Sequence, residues 1–344
     1  VSGIAGQGEM ILANAGSAAE VSTQQRRHWG ARAQLAIWPA IVALMVIGGF
    51  ASSAFWTQRN FINVLQQASV LSVLTLAMLL VVLVRKFDLS IESTVAFTPM
   101  LAAHIILPSP VGFGGSLPGW TGFFIALGIG ALIGVVNGIL VVKLQINAFI
   151  STLGMLILLR GATLGISNGE TIVSPPKGMV WPGAAMIGSI PVSIILGALL
   201  YVAAWLFLRY HQVGRNLYAI GGNPVASRAA GIRVERTVFG VFIVAGTLSG
   251  FAGLMLSGRI DSVVASQGSG TVFDVFAALA IGGVSLNGGK GTVGGALSGV
   301  LFLALLANIL ILAGLSSFWV DMARGAIIVV ALVLSRITGG PAND

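Results

Sequence analysis

Apolar stretches long enough to cross a bilayer recur along the whole chain, and they restrict the fold more than any other feature. A membrane-crossing helix needs about 20 mostly apolar residues. Such stretches run at 35–55, 64–84, 89–107, 120–142, 148–167, 191–208, 237–258, 272–287, 292–313 and 317–335. The eighth is the shortest and is rich in glycine. Only 8% of the 344 residues are charged and 56% are hydrophobic, where a soluble domain carries about 25% charged residues. Mean hydropathy is +0.98. The expected fold is therefore an all-α polytopic membrane protein with about ten transmembrane helices.

The basic residues give this bundle a direction. With the N-terminus inside, inner segments hold 13 of the 18 Lys and Arg residues: Arg26, Arg27, Arg32, Arg85, Lys86, Lys143, Arg209, Arg215, Arg228, Arg233, Arg236, Lys290 and Arg336. Outer segments hold Arg59, Lys177 and Arg259, while Arg160 and Arg324 fall within spans. The positive-inside rule then places both termini in the cytoplasm. Residues 1–33 have no apolar core and read as a disordered cytoplasmic tail rather than a cleaved signal peptide. Residues 34–338 form the transmembrane domain, with a cytoplasmic loop at 209–237, and 339–344 a short cytoplasmic tail. The net charge of +8 is thus a matter of topology and does not point to nucleic acid. There are no cysteines, and His28, His104 and His211 are too scattered to suggest a metal site.

One stretch, "AIGGVSLNGGKGTVGG" at 280–295, looks like a phosphate-binding loop around Lys290. The nucleotide-binding pattern needs Gly, four residues, then Gly-Lys-Ser/Thr. Here the first glycine position holds Val284 and the hydroxyl position holds Gly291. The pattern fails twice. Gly291, Gly295 and Gly299 instead recur every four residues, as small residues do where membrane helices pack closely. Lys290 then serves as an inner anchor.

The longest inner segment reads "RYHQVGRNLYAIGGNPVASRAAGIRVERT" at 209–237. Asn223 is a good N-cap, Pro224 suits the first helical position and Gly231 suits the stop. Between them the alanine-rich "VASRAA" favours helix. These signals predict a single short helix below the membrane, with Gly214, Gly221 and Gly222 shaping its approach. It serves either as a connector between halves of the bundle or as a docking helix for a cytoplasmic partner.

The segment "GRNLYAIGGNPVASRAAGIRV" strongly resembles the cytoplasmic loop of permease subunits of bacterial ribose-type ABC sugar importers. The resemblance extends to "FDLSIEST" at 87–94, "VNGILVVKLQINAFISTLG" at 136–154 and "AALAIGGVSLNGGKGTVGG" at 277–295. It covers about 55 to 335, in matching order. It implies a permease of the bacterial inner membrane working as a homodimer or with a sister permease. Two cytoplasmic ATPase domains, possibly in one tandem chain, would bind ATP and Mg, and a periplasmic sugar-binding protein would deliver a ribose-like pentose or a hexose. This chain would carry no cofactor and catalyse nothing itself. In that family the loop helix docks into the ATPase, which here implicates Gly221, Gly222, Asn223, Pro224, Ala226, Arg228 and Gly231. The chain departs from the family pattern at Ile91-Glu92 (usually Val-Gly), at Asn147-Ala148 (usually a proline-containing step) and at Val272 (usually acidic).

Charged groups within a bilayer cost about 2.5–3.5 kcal/mol each on insertion scales and face an interior or a cavity. Asp88, Glu92, His104, Arg160, Asp274, Asp321 and Arg324 are such groups. Asp321 and Arg324 are spaced to pair on one helical face. Arg160 and His104 read as buried and satisfied, and Asp88 as close to the inner interface. Glu92 either pairs with an arginine or lines the path. Candidate path residues are Glu92, Asn137, Phe149, Thr152, Asp274 and Asn308; the amides and the hydroxyl among them either meet a passing sugar or bond between helices. Three other functions compete. A branched-chain amino-acid ABC permease is disfavoured by the sugar-type loop. A proton-coupled secondary carrier needs a titratable relay, for which only Glu92 and Asp274 are available. A serine hydrolase built on Ser285 needs a base, and no histidine follows His211.

Overall fold

The computed structural model describes residues 37–316, 318–323, 325–326 and 329. The tails expected at 1–33 and 339–344 lie outside these residues, as do Arg324, Arg336 and most of the stretch 317–335, of which 318–323 are helical. The helices are α1 (Ile37–Ala51), α2 (Gln58–Leu83), α3 (Ile91–Ile106), α4 (Gly119–Gly138, prolonged by a π-helical turn Ile139–Lys143), α5 (Ala148–Ser167), α6 (Lys177–Ala184) and α7 (Val192–Tyr210). They continue as α8 (Gln212–Gly222), α9 (Pro224–Ala229), α10 (Val234–Arg259), α11 (Thr271–Ile281) and α12 (Val293–Leu312). Two minimal antiparallel ladders pair β1 (Ile172–Val173) with β4 (Ser262–Val263) and β2 (Met186–Ile187) with β3 (Ile190–Pro191). The protein is all-α and polytopic.

Among the described residues, six helices are long and apolar enough to cross a membrane: α2, α4 with its π turn, α5, α7, α10 and α12. α3 and α11 are shorter than the apolar runs at 89–107 and 272–287. At 1.5 Å per residue, α3 and α11 span about 24 and 17 Å, below the roughly 30 Å of a hydrocarbon core. The eighth stretch, expected at 272–287, is corrected here. Its helix ends at Ile281, and Gly282 and Gly283 break it, Gly283 at φ +72°. Hydropathy does not register a turn made of glycine.

α2 is the axis of the bundle. Every residue from Ser72 to Leu83 is buried, as expected of a helix apolar on all sides. α7, α10, α11 and α12 pack around it. A close crossing joins α4 to α10. A Cβ added at Gly130 would stand 2.5 Å from the Gly246 carbonyl oxygen, and one at Gly246 would meet the Gly130 carbonyl in return. Without a hydrophobic drive between helices in lipid, such backbone contact holds them together.

Connecting segments meet one another at each end of the bundle. At one end Gly289 N–H donates to the Leu83 carbonyl (3.1 Å), Arg85 Nη2 to the Gly222 carbonyl (3.0 Å) and Tyr218 OH to the Gly291 carbonyl (3.1 Å). At the other, Ile172 pairs with Val263, and Ser174 N–H donates to the Asp261 carbonyl at 2.9 Å.

Replacing Gly246 by Leu should destabilise the protein by about 1–3 kcal/mol or more, since a packed crossing has no room for it. Gly128→Ala, where nothing stands within 4 Å, should be neutral or stabilising by about 0.5–1 kcal/mol. Thermal unfolding of both variants in detergent checks this; equal melting temperatures would contradict the crossing.

Candidate functional site

The loop at 209–237 folds as two helices, not one. α8 begins at His211, whose Nδ1 accepts from Val213 N–H at 3.2 Å. It turns Gly214, Leu217, Ile220 and Gly221 into the protein. Asn223 then ends α8 and caps α9, its Oδ1 accepting from Val225 and Ala226 N–H at 3.0 Å each. Pro224 occupies the first turn of α9, as expected. Gly231, at φ +81°, closes the segment with its N–H donated to the Arg228 carbonyl at 2.9 Å. The sequence reading missed α8 because glycines 214, 221 and 222 read as loop. The available signal was the helical spacing of Gly214, Leu217 and Gly221.

Both glycines before Asn223 have a place in this joint. A Cβ at Gly221 would run into the Leu83 carbonyl and the Gly289 backbone, whereas Gly222 stands in open space and offers its carbonyl to Arg85. Val225, Ala226, Arg228 and Ala229 lie exposed on α9. Arg228 is paired with Glu235 (Nε to Oε1 2.8 Å) with both side chains about half exposed, a kind of contact worth about 0–1 kcal/mol.

The glycine-rich hairpin is the seat of that joint. Gly288 and Gly289 take φ +84° and +69°, and their N–H groups donate to the Ser285 and Leu83 carbonyls. The amides that a phosphate cradle would present are thus engaged. Gly295 and Gly299 lie in α12, close against the carbonyls of Gly282, just after α11, and of Ala278 within it. Gly291 is a correction. It precedes the helix at φ +153°, and Thr292 caps α12 by accepting from Gly295 N–H at 3.0 Å.

Within the bundle the polar residues form three groups. Asp88 is buried within the protein, where it accepts from Ser90 N–H (3.0 Å), Ser90 Oγ (2.5 Å) and Asn137 Nδ2 (3.4 Å). Burial pushes its pKa up to about 6, against the lowering effect of these bonds. Thr152 joins this group by accepting from Leu89 N–H at 3.1 Å, and Asn137 also donates to Ser90 Oγ at 2.8 Å. Both residues are fully buried. They tie α4 and α5 to the turn before α3.

The second group centres on Glu92 and Arg160. Their ion pair is 2.9 Å, Arg160 Nη1 donates to Ser269 Oγ at 2.7 Å, and Glu92 Oε2 accepts from Val272 N–H at 3.4 Å. The carboxylate thus lies in the first turn of α3 and at the start of α11, where helix dipoles favour negative charge. Gln267, which sequence reading did not single out, holds residues 264–271 inside the bundle. Its Nε2 donates to the Val95 carbonyl (2.8 Å) and its Oε1 accepts from Val264 N–H (3.2 Å). Beside this, Asp274 lines a 230 Å³ cavity with Gln67, Arg259, Ser269 and Thr271.

The third group is a reciprocal amide pair between Asn60 and Asn308, at 3.0 and 2.7 Å, joining α2 to α12. Phe149 is half exposed on the first turn of α5. Asn147 caps that helix by accepting from Phe149 N–H at 2.9 Å, so a cap stands there without proline. His104 is satisfied by the Met100 carbonyl at 2.9 Å. No cluster of three or more metal-ligating side chains occurs among the described residues.

A family profile described as branched-chain amino acid transport system / permease component matches residues 60–332. The ribose import permease protein RbsC of Escherichia coli K12 is 34% identical over 91% of this chain and 98% of its own length. That of Bacillus subtilis is 33% identical over 92% and 98%. The chain belongs to the ribose-type ABC permease family. The autoinducer 2 import system permease protein LsrC of Klebsiella pneumoniae is also similar, 36% identical over 88% of this chain and 86% of its own. No solved structure matches.

In this permease the Glu92–Arg160 pair sets up a measurable asymmetry. Removing one member of a fully buried pair costs about 3–5 kcal/mol, while replacing both with apolar groups is often nearly neutral; here Arg160 is 26% exposed, so the single loss is expected below that range. Glu92→Leu alone should therefore lower the melting temperature, and adding Arg160→Met should recover most of the loss. If the double variant were no more stable than the single, the two charges would not be energetically coupled.

Proposed function

We propose that this chain is the membrane subunit of an ATP-driven, binding-protein-dependent importer of a monosaccharide-sized polyhydroxyl cargo, such as a ribose-like pentose or a hexose. It works in a bacterial inner membrane as a homodimer or beside a sister permease. ATP and Mg bind to two cytoplasmic ATPase domains, in separate chains or one tandem chain, and a periplasmic protein selects the cargo. The permease relatives of ribose and autoinducer 2 importers support the cargo class. A low-affinity path suits a subunit whose selectivity is supplied elsewhere.

The observation that carries the coupling role is the joint at Asn223. α9 is capped at both ends and exposes Val225, Ala226 and Ala229, while α8 is seated by backbone contact on the end of α2. A partner that moves α9 therefore moves the bundle. Residues 223–231 act as the coupling helix, with Gly221 and Gly222 as its seat. Glu92 and Asp274 border the path at the bundle's centre, where residues 264–271 fold back, and Asn137, Thr152 and Asn308 hold the surrounding helices in place.

Ten spans with both termini cytoplasmic fit the basic residues. They also fit the two groups of connecting segments, since 84–90, 209–236 and 288–291 were assigned to one side and 168–190 and 259–264 to the other. Reporter fusions within 209–237 should report cytoplasm and those within 168–190 periplasm; the reverse pattern would invert the assignment.

Ala229→Pro tests the lever. An interior proline costs a helix about 3 kcal/mol or more, and here it should leave the bundle inserted at normal abundance while abolishing uptake and cargo-stimulated ATPase activity. Normal uptake by that variant would remove α9 from the mechanism.

A further inference from the structure

A groove of 940 Å³ lies between α2, α7 and α10, closed at one end by α8 and the turn after α9. Its volume falls within the roughly 300–1,000 Å³ of small-molecule sites. Its long walls are apolar, with Leu80, Leu200, Phe207, Val244 and Leu248 among them. Its α8 end is basic: Arg233 and Arg236 are exposed there, and neither guanidinium has a partner among the described residues. The nearby carboxylate, Glu235, is engaged by Arg228. From Arg236 to Leu248, along α10, is about 18 Å at 1.5 Å per residue, close to the roughly 15 Å depth of hydrocarbon in one leaflet.

From this we infer a binding site for one anionic phospholipid. The headgroup phosphate lies against Arg233 and Arg236, and an acyl chain runs down the groove between α7 and α10. The charge arrangement argues for this occupant. A peptide or a soluble anion would use the basic end but not an apolar wall as deep as a leaflet. A zwitterionic lipid would use the wall and could offer its phosphate, but its own ammonium offsets that charge and leaves the two cations without net compensation. Basic residues at a membrane surface each favour an anionic lipid by about fivefold. An occupied groove would wedge α7 and α8 apart from α10, placing lipid composition beside the joint that carries the proposed coupling.

The inference rests on the bundle spanning a bilayer but not on which face is cytoplasmic, and its test does not read transport. The full chain is reconstituted in vesicles of equal phosphatidylcholine and phosphatidylglycerol, lipids mixed in both leaflets. Native mass spectrometry after extraction then counts what remains bound. One phosphatidylglycerol should be retained in preference to phosphatidylcholine. Arg233→Gln with Arg236→Gln should reduce that preference by about twenty-five-fold, two fivefold contributions. Val244→Trp, which fills the apolar wall but keeps both cations, should reduce retention of either lipid. A preference unchanged in the arginine variant would overturn the site, as would displacement of the lipid by glycerol 3-phosphate at similar concentration. A photo-crosslinker at 244 should give a lipid adduct. An adduct instead to residues 1–36 or to a second copy would assign the groove to protein and refute the proposal.

Discussion

In hydrocarbon, every backbone N–H and C=O must find a partner inside the protein. α2, α4, α5, α7, α10 and α12 meet this demand alone, each within its own helix. The chain nevertheless breaks before α3 at 84–90, at one end of the bundle, and before α11 at 264–271, inside it. Each break is filled by side chains. Thr152 takes the Leu89 N–H, Asp88 takes that of Ser90, Gln267 takes that of Val264 and Glu92 takes that of Val272. A charge that looks out of place in an apolar sequence therefore has a geometric origin, in a chain that must bend where its backbone groups are buried.

This also explains what the sequence made legible. The runs at 148–167 and 191–208 coincide closely with α5 and α7, since unbroken apolar helices leave an unambiguous hydropathy signal. The cap at Asn223, Pro224 at the start of α9 and Gly231 after it were equally visible, because capping chemistry is local. Long-range facts were not. Nothing local separates the glycines that end α11 from those that let α12 approach it. α8 was hidden because its buried face is partly glycine, which carries no hydropathy. Pairing of Glu92 with Arg160, 68 residues apart, could be suspected from cost but its location could not be read from spacing. Asn137 and Thr152 stand in the same light. Sequence left them between cargo contact and interhelical bonding, and the structure draws both into the Asp88 turn.

Exposure within the bundle is uneven in a way that matters for assembly. α2 is nearly enclosed, while α5 leaves Ile150, Ile157 and Leu158 each more than 60% exposed. Apolar side chains on a spanning helix can rest against lipid at no cost, so this exposure alone does not demand a protein neighbour. Its weight comes from position: the other face of α5 carries Arg160 and Thr152, which reach the two polar groups at the breaks. Any load applied to α5 is felt at both.

The seam between Gly221, Leu83 and Gly289 has a consequence for how motion travels. It is made of backbone against backbone, so it contains no rotamers that could swing aside and absorb a displacement. A side-chain interface can be softened by degrees through substitution. Here any added carbon collides with a carbonyl or amide, and the contact can be broken but not retuned. Displacement of α8 must then reach the last turn of α2 undamped, as between two teeth of a gear rather than through a cushion. If α9 couples as proposed, variation in the strength of the stroke has to arise elsewhere, on the exposed face of α9 or in the partner that meets it.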